Sequence, residues 1–273
     1  MKQDSAGKTR EWDHSTRREF YEHYAKDSLG PVTRERFLIL RDKILRVLDG
    51  SQKRPIYSVL DVGCNAGTQC LLWAELGHRV YGLDINEKLL ELARVRAAEA
   101  GRSVEFVLGT AVSLPWPDNH MDVCLAIELL EHVPDWKDCL KEFTRVVRPG
   151  GVVYLATSNK LCPVQNEFNL PLYSWYPGPI KRWCERLSVT TKPWLANYAT
   201  YPATNWFTFK QLKREFDALG FDSLDKFDIA DVSGKGSLAK AVLSVIRHVP
   251  PVRWLAHFTT PTSMVVAVKR RPS

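Results

Sequence analysis

The chain has 273 residues, 45% of them hydrophobic, enough to bury one sizeable core with room for an insertion. It contains no run of 18 apolar residues and its first residues hold no apolar signal core, which argues against a spanning helix and a secretory leader and leads us to expect a cytoplasmic protein. The net charge of +7 is concentrated. From Val232 to Ser273 there is no Asp or Glu, and the seven basic residues there (Lys235, Lys240, Arg247, Arg253, Lys269, Arg270, Arg271) equal the whole excess, which points to an anionic partner such as a membrane surface.

Taken in chain order, residues 13–27 and 33–49 read as N-terminal helices. The pattern then alternates: strand 57–62, helix 67–77, strand 79–84, helix 87–100, strand 104–108, strand 122–127, helix 136–147 and strand 152–157. Such β-α alternation predicts an α/β fold with a doubly wound, mostly parallel, Rossmann-like sheet. Residues 160–206 break the rhythm with four Trp, four Tyr and several Pro, and read as an aromatic-rich inserted lid. Helix 208–219, strand 222–229, a helical segment 237–258 broken at Pro250-Pro251, and an antiparallel last strand 263–269 complete a single domain. Within it, 1–50 form the N-terminal helices, 51–159 the nucleoside-binding core, 160–206 the lid and 207–273 the C-terminal part. The six cysteines show no C-x-x-C pair or zinc spacing, so reduced thiols are expected.

The most informative stretch is Val59-Leu60-Asp61-Val62-Gly63-Cys64-Asn65-Ala66-Gly67, a strand entering a glycine-rich turn that opens a helix. The following strand ends on Asp84, 17 residues after Gly67, where a carboxylate suits the two hydroxyls of a ribose. A nicotinamide site wants G-x-G-x-x-G around a pyrophosphate, whereas here an acid, Asp61, precedes the first glycine. It would repel a pyrophosphate but could accept from an α-amino group. The pattern Asp61-x-Gly63-x-Asn65-x-Gly67 resembles motif I of class I S-adenosylmethionine (SAM) methyltransferases. Asn65 stands in place of the middle glycine, and Asn tolerates left-handed backbone. The resemblance, running from about residue 57 to 158, implies that Asp61, Gly63, Cys64, Asn65 and Gly67 cradle the methionine moiety. It implies further that Asp84 holds the ribose, that Ile85 and Ile127 line the nucleoside, and that Thr110 and Ala111, at a position where the family often has G-D-A, lie at the adenine.

The fourth strand end carries Glu128-Leu129-Leu130-Glu131-His132-Val133-Pro134-Asp135. In a helical turn, Glu128, Glu131 and His132 would share one face. Two carboxylates and an imidazole could hold Mg²⁺, Mn²⁺ or Zn²⁺, and a metal or an adjacent His activates a hydroxyl nucleophile. This E-x-x-E-H string resembles the ubiquinone-biosynthesis O-methyltransferases and the small-RNA 3′-terminal 2′-O-methyltransferases. The wider string with Thr157-Ser158-Asn159 is closer to the first group. The same group carries a T-H-x-W-like segment, which matches Ala203-Thr204-Asn205-Trp206 here, with Asn205 as a candidate fourth ligand. Metal-free relatives show only the Glu-His pair, with His132 acting alone and Glu131 bracing a loop.

The resulting expectation is an O-methyltransferase acting on a small aromatic or lipid-like hydroxyl. The alternatives are an N-, C- or sugar O-methyltransferase without metal, a silent SAM-binding protein and, least favoured for want of any RNA-binding module, an RNA methyltransferase. Segment 237–258 pairs an apolar stripe (Leu238, Val242, Val245, Ile246, Val249) with Lys240 and Arg247, a pattern suited to lying on an anionic membrane or, more ordinarily, to packing on its own domain.

Overall fold

Strand β1 (Ser58–Val62) lies at the centre of the first half of the chain, parallel both to β2 (Arg79–Asp84) and to β4 (Met121–Ile127), with Leu60 opposite Tyr81 on one side and Cys124 on the other. Strand β3 (Val104–Leu108) runs parallel to β2 and sets Asp84 against Leu108. Strands β1 and β4 are nearly continuous buried runs, as central parallel strands covered on both faces must be, whereas the edge strand β3 buries only Phe106. The computed structural model describes residues 28, 30–52, 54–197 and 202–272, so the expected helix at 13–27 lies outside the described residues. Seven strands form one sheet in the order β3-β2-β1-β4-β5-β7-β6, mostly parallel with an antiparallel edge, as expected. The described residues divide into two compact units, one of those up to 127 with 135–154 and 268–272, the other of 128–134 and those between 155 and 267.

In the first unit, α1 (Pro31–Gln52) buries Leu40, Ile44 and Leu48, spaced four apart along one stripe. Arg41 on the same helix donates to the Leu72 carbonyl at 2.8 Å. Every residue of α2 (Thr68–Ala74) is buried. This helix is shorter than predicted because Gly77, at φ 79°, turns the chain just after it. Helix α3 (Glu87–Glu99) starts at Asn86, whose side chain accepts from the Leu89 N–H at 3.2 Å. Helix α4 (Trp136–Val146) leads into β5 (Val147–Ser158), longer than predicted. Buried Asp122 anchors this corner by accepting from the Ser58 N–H at 2.6 Å and from the Arg148 guanidinium.

The second unit holds the insertion, which is more regular than its composition suggests. Single 3-10 turns at Tyr173–Trp175 and Pro193–Ala196 flank a 13-residue helix, α5 (Gly178–Thr190). Helical periodicity is hidden there because its buried face is Lys181, Cys184 and Ser188 rather than an aliphatic stripe. Phe168, Tyr173, Leu195 and Trp206 form a local core, with Phe168 and Tyr173 stacked at 3.9 Å. Helix α6 (Phe209–Ala218) is capped by Thr208, and β6 (Phe221–Leu224) stops five residues before its predicted end. The cause is Asp225, whose Oδ1 accepts from the N–H groups of Phe227 and Asp228 and folds the chain into a turn. Beyond it come α7 (Ser237–His248), α8 (Pro250–Ala256) and β7 (Thr262–Lys269). Val249 is extended because it precedes a proline, and this separates the two helices. All six cysteines are unpaired and buried.

Gly82 is a packing constraint that the motif reading does not single out. A Cβ there would lie 2.7 Å from Phe106 Cδ1 and 2.9 Å from Cys64 Sγ. Gly82→Ala should therefore cost about 1–3 kcal/mol of stability. Urea unfolding checks this, and an unchanged midpoint would show that Phe106 repacks freely.

Candidate functional site

The glycine-rich turn is built as its sequence implies. Gly63, Asn65 and Gly67 all have positive φ (75°, 48° and 76°), and Asn65 steadies its own left-handed backbone by donating from Nδ2 to the Gly63 carbonyl at 3.0 Å. Gly67 is required for a second reason, since a Cβ would meet Ala93 Cβ at 2.9 Å and Phe106 Cζ at 3.0 Å. The N–H groups of Gly63 and Cys64 both donate to the Leu83 carbonyl, fastening the turn to the end of β2.

Asp84 is the hub of this region. One carboxylate oxygen accepts from the Asn65 N–H at 2.8 Å and the other from the Asn86 N–H at 2.9 Å. Each oxygen keeps further acceptor capacity. The Asp84 carbonyl accepts from the Gly109 N–H at 2.9 Å, so the turn carrying Thr110 and buried Ala111 is tied to the same strand end. Ile85 and Ile127 are half-buried at the ends of β2 and β4.

Asp61 is 4% exposed, and the Cys70 thiol donates to its Oδ2 at 3.7 Å. Burial, with the Asp84 charge nearby, pushes its carboxyl up to about 7. Burial likewise pushes the Cys64 thiol well up. The first two residues of α2 add signals that motif reading missed. Thr68 Oγ1 and both polar atoms of the Gln69 amide are buried without any protein partner. A buried acid with no ion pair among the described residues, hydrogen-bonded to Cys70 on the helix start that also carries polar groups without partners there, fits a polar, positively charged ligand moiety. Buried Arg96 donates to the Ala66 carbonyl at 3.2 Å and supports the turn.

The E-x-x-E-H segment belongs to the second unit and is not helical, contrary to the one-face expectation. Glu128 is left-handed at φ 53°, because its N–H turns to the Ala156 carbonyl at 2.8 Å. Glu128 is exposed, whereas Glu131 is 1% exposed and accepts from Thr157 Oγ1 at 2.8 Å. Burial, reinforced by the charges of Glu167 and Glu128, pushes the Glu131 carboxyl up to about 8. His132 is half-buried. Asn205 Nδ2 donates to the carbonyls of Leu130 and Val133 at 3.1 and 2.7 Å, and the Thr204 and Asn205 N–H groups donate to the Glu131 carbonyl. Asn205 thus clamps the turn that bears Glu131 and His132. Among the described residues no three His, Cys, Asp or Glu side chains gather to hold a metal ion, so the expected Glu128–Glu131–His132 centre is not assembled. The signals for that centre were the helical spacing and the resemblance of the E-x-x-E-H string, and the turn at Glu128, with φ 53°, does not form the helix on which the spacing relied. Glu128, Glu131 and Glu167 instead line a cavity of about 130 Å³ with Thr157, Ser158 and Gln165.

Two buried carboxyls with raised values fix a pH dependence. Below about pH 4 both are protonated in the folded and the unfolded chain. As pH rises, the unfolded carboxyls ionise first while Asp61 and Glu131 keep their protons, so the folded state loses stability up to about 7–8. Glu131→Gln should remove at least about 1 kcal/mol of that loss. Thermal unfolding of the ligand-free protein at pH 5.5 and 8.5 measures it, and equal slopes for variant and parent would contradict the assignment.

Residues 60–155 match the family described as "Methyltransferase domain". A ubiquinone biosynthesis O-methyltransferase from Shewanella sp. (strain ANA-3) is 40% identical over 103 residues, 37% of this chain and 44% of that protein. Another of the same name, from Sinorhizobium medicae, is 33% identical over 129 residues, 46% of this chain and 52% of that protein. The chain therefore spans about half the length of the curated relatives it matches. In fold it is similar to the crystal structure of a SAM-dependent methyltransferase from Methanosarcina mazei, with a TM-score of 0.51 at 19% identity, covering 83% of this chain and 98% of that one. The left-handed turn at 63–67 and the parallel strands β1 to β4 lie almost wholly within the matched residues 60–155, and over that stretch the chain is similar to methyltransferase domains in sequence and in fold.

Proposed function

We propose that the protein is a SAM-dependent O-methyltransferase that methylates a hydroxyl of a small aromatic or lipid-like acceptor. The observation that carries the cofactor half is the arrangement around Asp61 and Asp84. Buried Asp61 would receive the α-amino group, Asp84 the ribose hydroxyls, and the left-handed turn at Gly63–Gly67 leaves backbone open to the methionine moiety. Ile85, Thr110, Ala111 and Ile127 would line the nucleoside. Bound SAM supplies a methyl group on a positively charged sulfur.

The acceptor half rests on the turn that follows β4. A hydroxyl becomes a competent nucleophile when its proton passes to a base, and the His132 imidazole is the base we assign. With SAM held by Asp61, Asp84 and the turn at Gly63–Gly67, the oxygen–methyl bond formed would be balanced by the sulfur–methyl bond broken, the electron pair going to sulfur. The hydroxyl proton stays on the imidazole. Glu131 acts on position rather than on the proton, holding the turn through Thr157 while Asn205 closes it from the other side. The carboxylate-lined cavity of Glu128, Glu131 and Glu167 suits donors on the acceptor, since carboxylates accept hydrogen bonds. The same acidity favours, as a second reading, an acceptor amine. The residues as placed do not fit a resident divalent cation, and no step is assigned to one.

Two outcomes check this reading. Asp84→Ala should weaken SAM binding by about 1–3 kcal/mol through loss of charged acceptors, and calorimetric titration reads it directly. Unchanged affinity would remove the ribose assignment. His132→Ala should lower turnover by about 10²–10⁴-fold with SAM affinity intact. Turnover should also survive chelation, and a loss restored by added Mg²⁺ would return the cation to the mechanism.

A further inference from the structure

Helices α7 and α8 sit on their unit by a narrow seam, with most of their apolar side chains exposed alongside the polar ones. A surface helix ordinarily buries its apolar stripe and exposes its polar one. Here the apolar residues Leu238, Val242, Val245 and Val249 are 78, 50, 49 and 39% exposed, and Trp254 and Leu255 on α8 are 53 and 59% exposed. The attachment comes from the other side. Leu243 is the single buried residue of α7, and Arg247, one turn on, donates to the carbonyls of Phe227, Asp228 and Ala230 at 2.8–3.1 Å. On α8, Arg253 donates to the fully buried Asp225 carboxylate at 2.8 Å and to Asp228. The His257 ring lies 3.1 Å from the same Asp225 oxygen. The two arginines that looked like surface charge are therefore roots; Ile246 of the expected stripe is half-buried beside them, while Leu238, Val242, Val245 and Val249 stay exposed.

We infer that this face docks on an anionic lipid surface. Charge selects that occupant. The face lies in a stretch with no acidic residue from Val232 to Ser273, and Lys235 and Lys240 are exposed beside the stripe. A second copy of the chain would set the same acid-free face against itself, because a two-fold contact pairs like with like. A nucleic acid would answer the lysines but not the aliphatic row. An apolar stripe flanked by lysines, with a half-exposed tryptophan at its end, matches the headgroup boundary of a bilayer. Among the described residues no helix is long and apolar enough to cross a membrane, so the contact is peripheral. Docking is independent of methyl transfer and needs no acceptor.

Flotation of the whole protein with neutral phosphatidylcholine vesicles, and with vesicles containing about one-third phosphatidylglycerol, tests it. Binding to the anionic vesicles alone, weakening with salt, is expected. Leu238→Glu/Val242→Glu should lower that partition by at least about tenfold, since it places charge where apolar area was buried. Val95→Glu, at an equally exposed apolar site on α3 (53%), should leave it unchanged. Lys235→Gln/Lys240→Gln should flatten the salt dependence. Thermal melting shows that each variant is folded, and Leu255→Ser serves as a second lesion of the face. Absence of binding, equal binding to both vesicles, or parent-like binding of Leu238→Glu/Val242→Glu would overturn the inference. So would a concentration-dependent dimer in light scattering that the same substitutions abolish.

Discussion

The Asp84 carboxylate is the interaction on which the first unit depends. Its two oxygens hold the N–H groups of Asn65 and Asn86, which joins the glycine-rich turn to the start of α3, and its carbonyl holds Gly109. One buried residue, through its carboxylate and its carbonyl, thus ties together three strand-end loops. Binding loops in parallel α/β sheets gather where strands end, and here a charged acceptor supplies the rigidity that loop backbone lacks. The same carboxylate raises the cost of ionising Asp61. Stability and ligand affinity are therefore coupled, because a cation at Asp61 would relieve a strain that the ligand-free fold carries.

The second unit shows the complementary principle, a turn held from several directions. Glu131 is gripped through its side chain by Thr157 and through its carbonyl by Thr204 and Asn205, while the Asn205 amide takes the carbonyls on either side. His132 rides on that turn. Its placement is thus set by residues more than 70 positions later in the chain, which gives the aromatic insertion a role in shaping the acceptor side.

Much of this was legible from residue order. The strands at 79–84 and 104–108 have their predicted ends because β-branched and apolar runs stop at Asp84 and Gly109. Asn65 was readable as a left-handed substitute for glycine, and its φ of 48° agrees. Other features were illegible because they depend on distant partners. The length of β6 is set by the Asp225 side chain, α5 hides its period behind Lys181, Cys184 and Ser188, and the metal spacing presumed a helix that the Glu128–Ala156 hydrogen bond breaks. Thr68 and Gln69 carry no motif, and only their unpaired burial marks them. Arg247, Arg253 and Lys269 counted as surface charge in the sequence, yet each is spent on carbonyls or carboxylates of the fold.

The central claim is that Asp61, protonated in the ligand-free protein to about 7, is the seat of the cofactor's ammonium group. Calorimetric titration with SAM near pH 6, repeated in buffers of different ionisation enthalpy, measures it directly. Binding should release close to one proton, because the arriving ammonium stabilises the Asp61 carboxylate, and Asp61→Asn should bind more weakly and release none. SAM binding without proton release, or identical release from Asp61→Asn, would contradict the account.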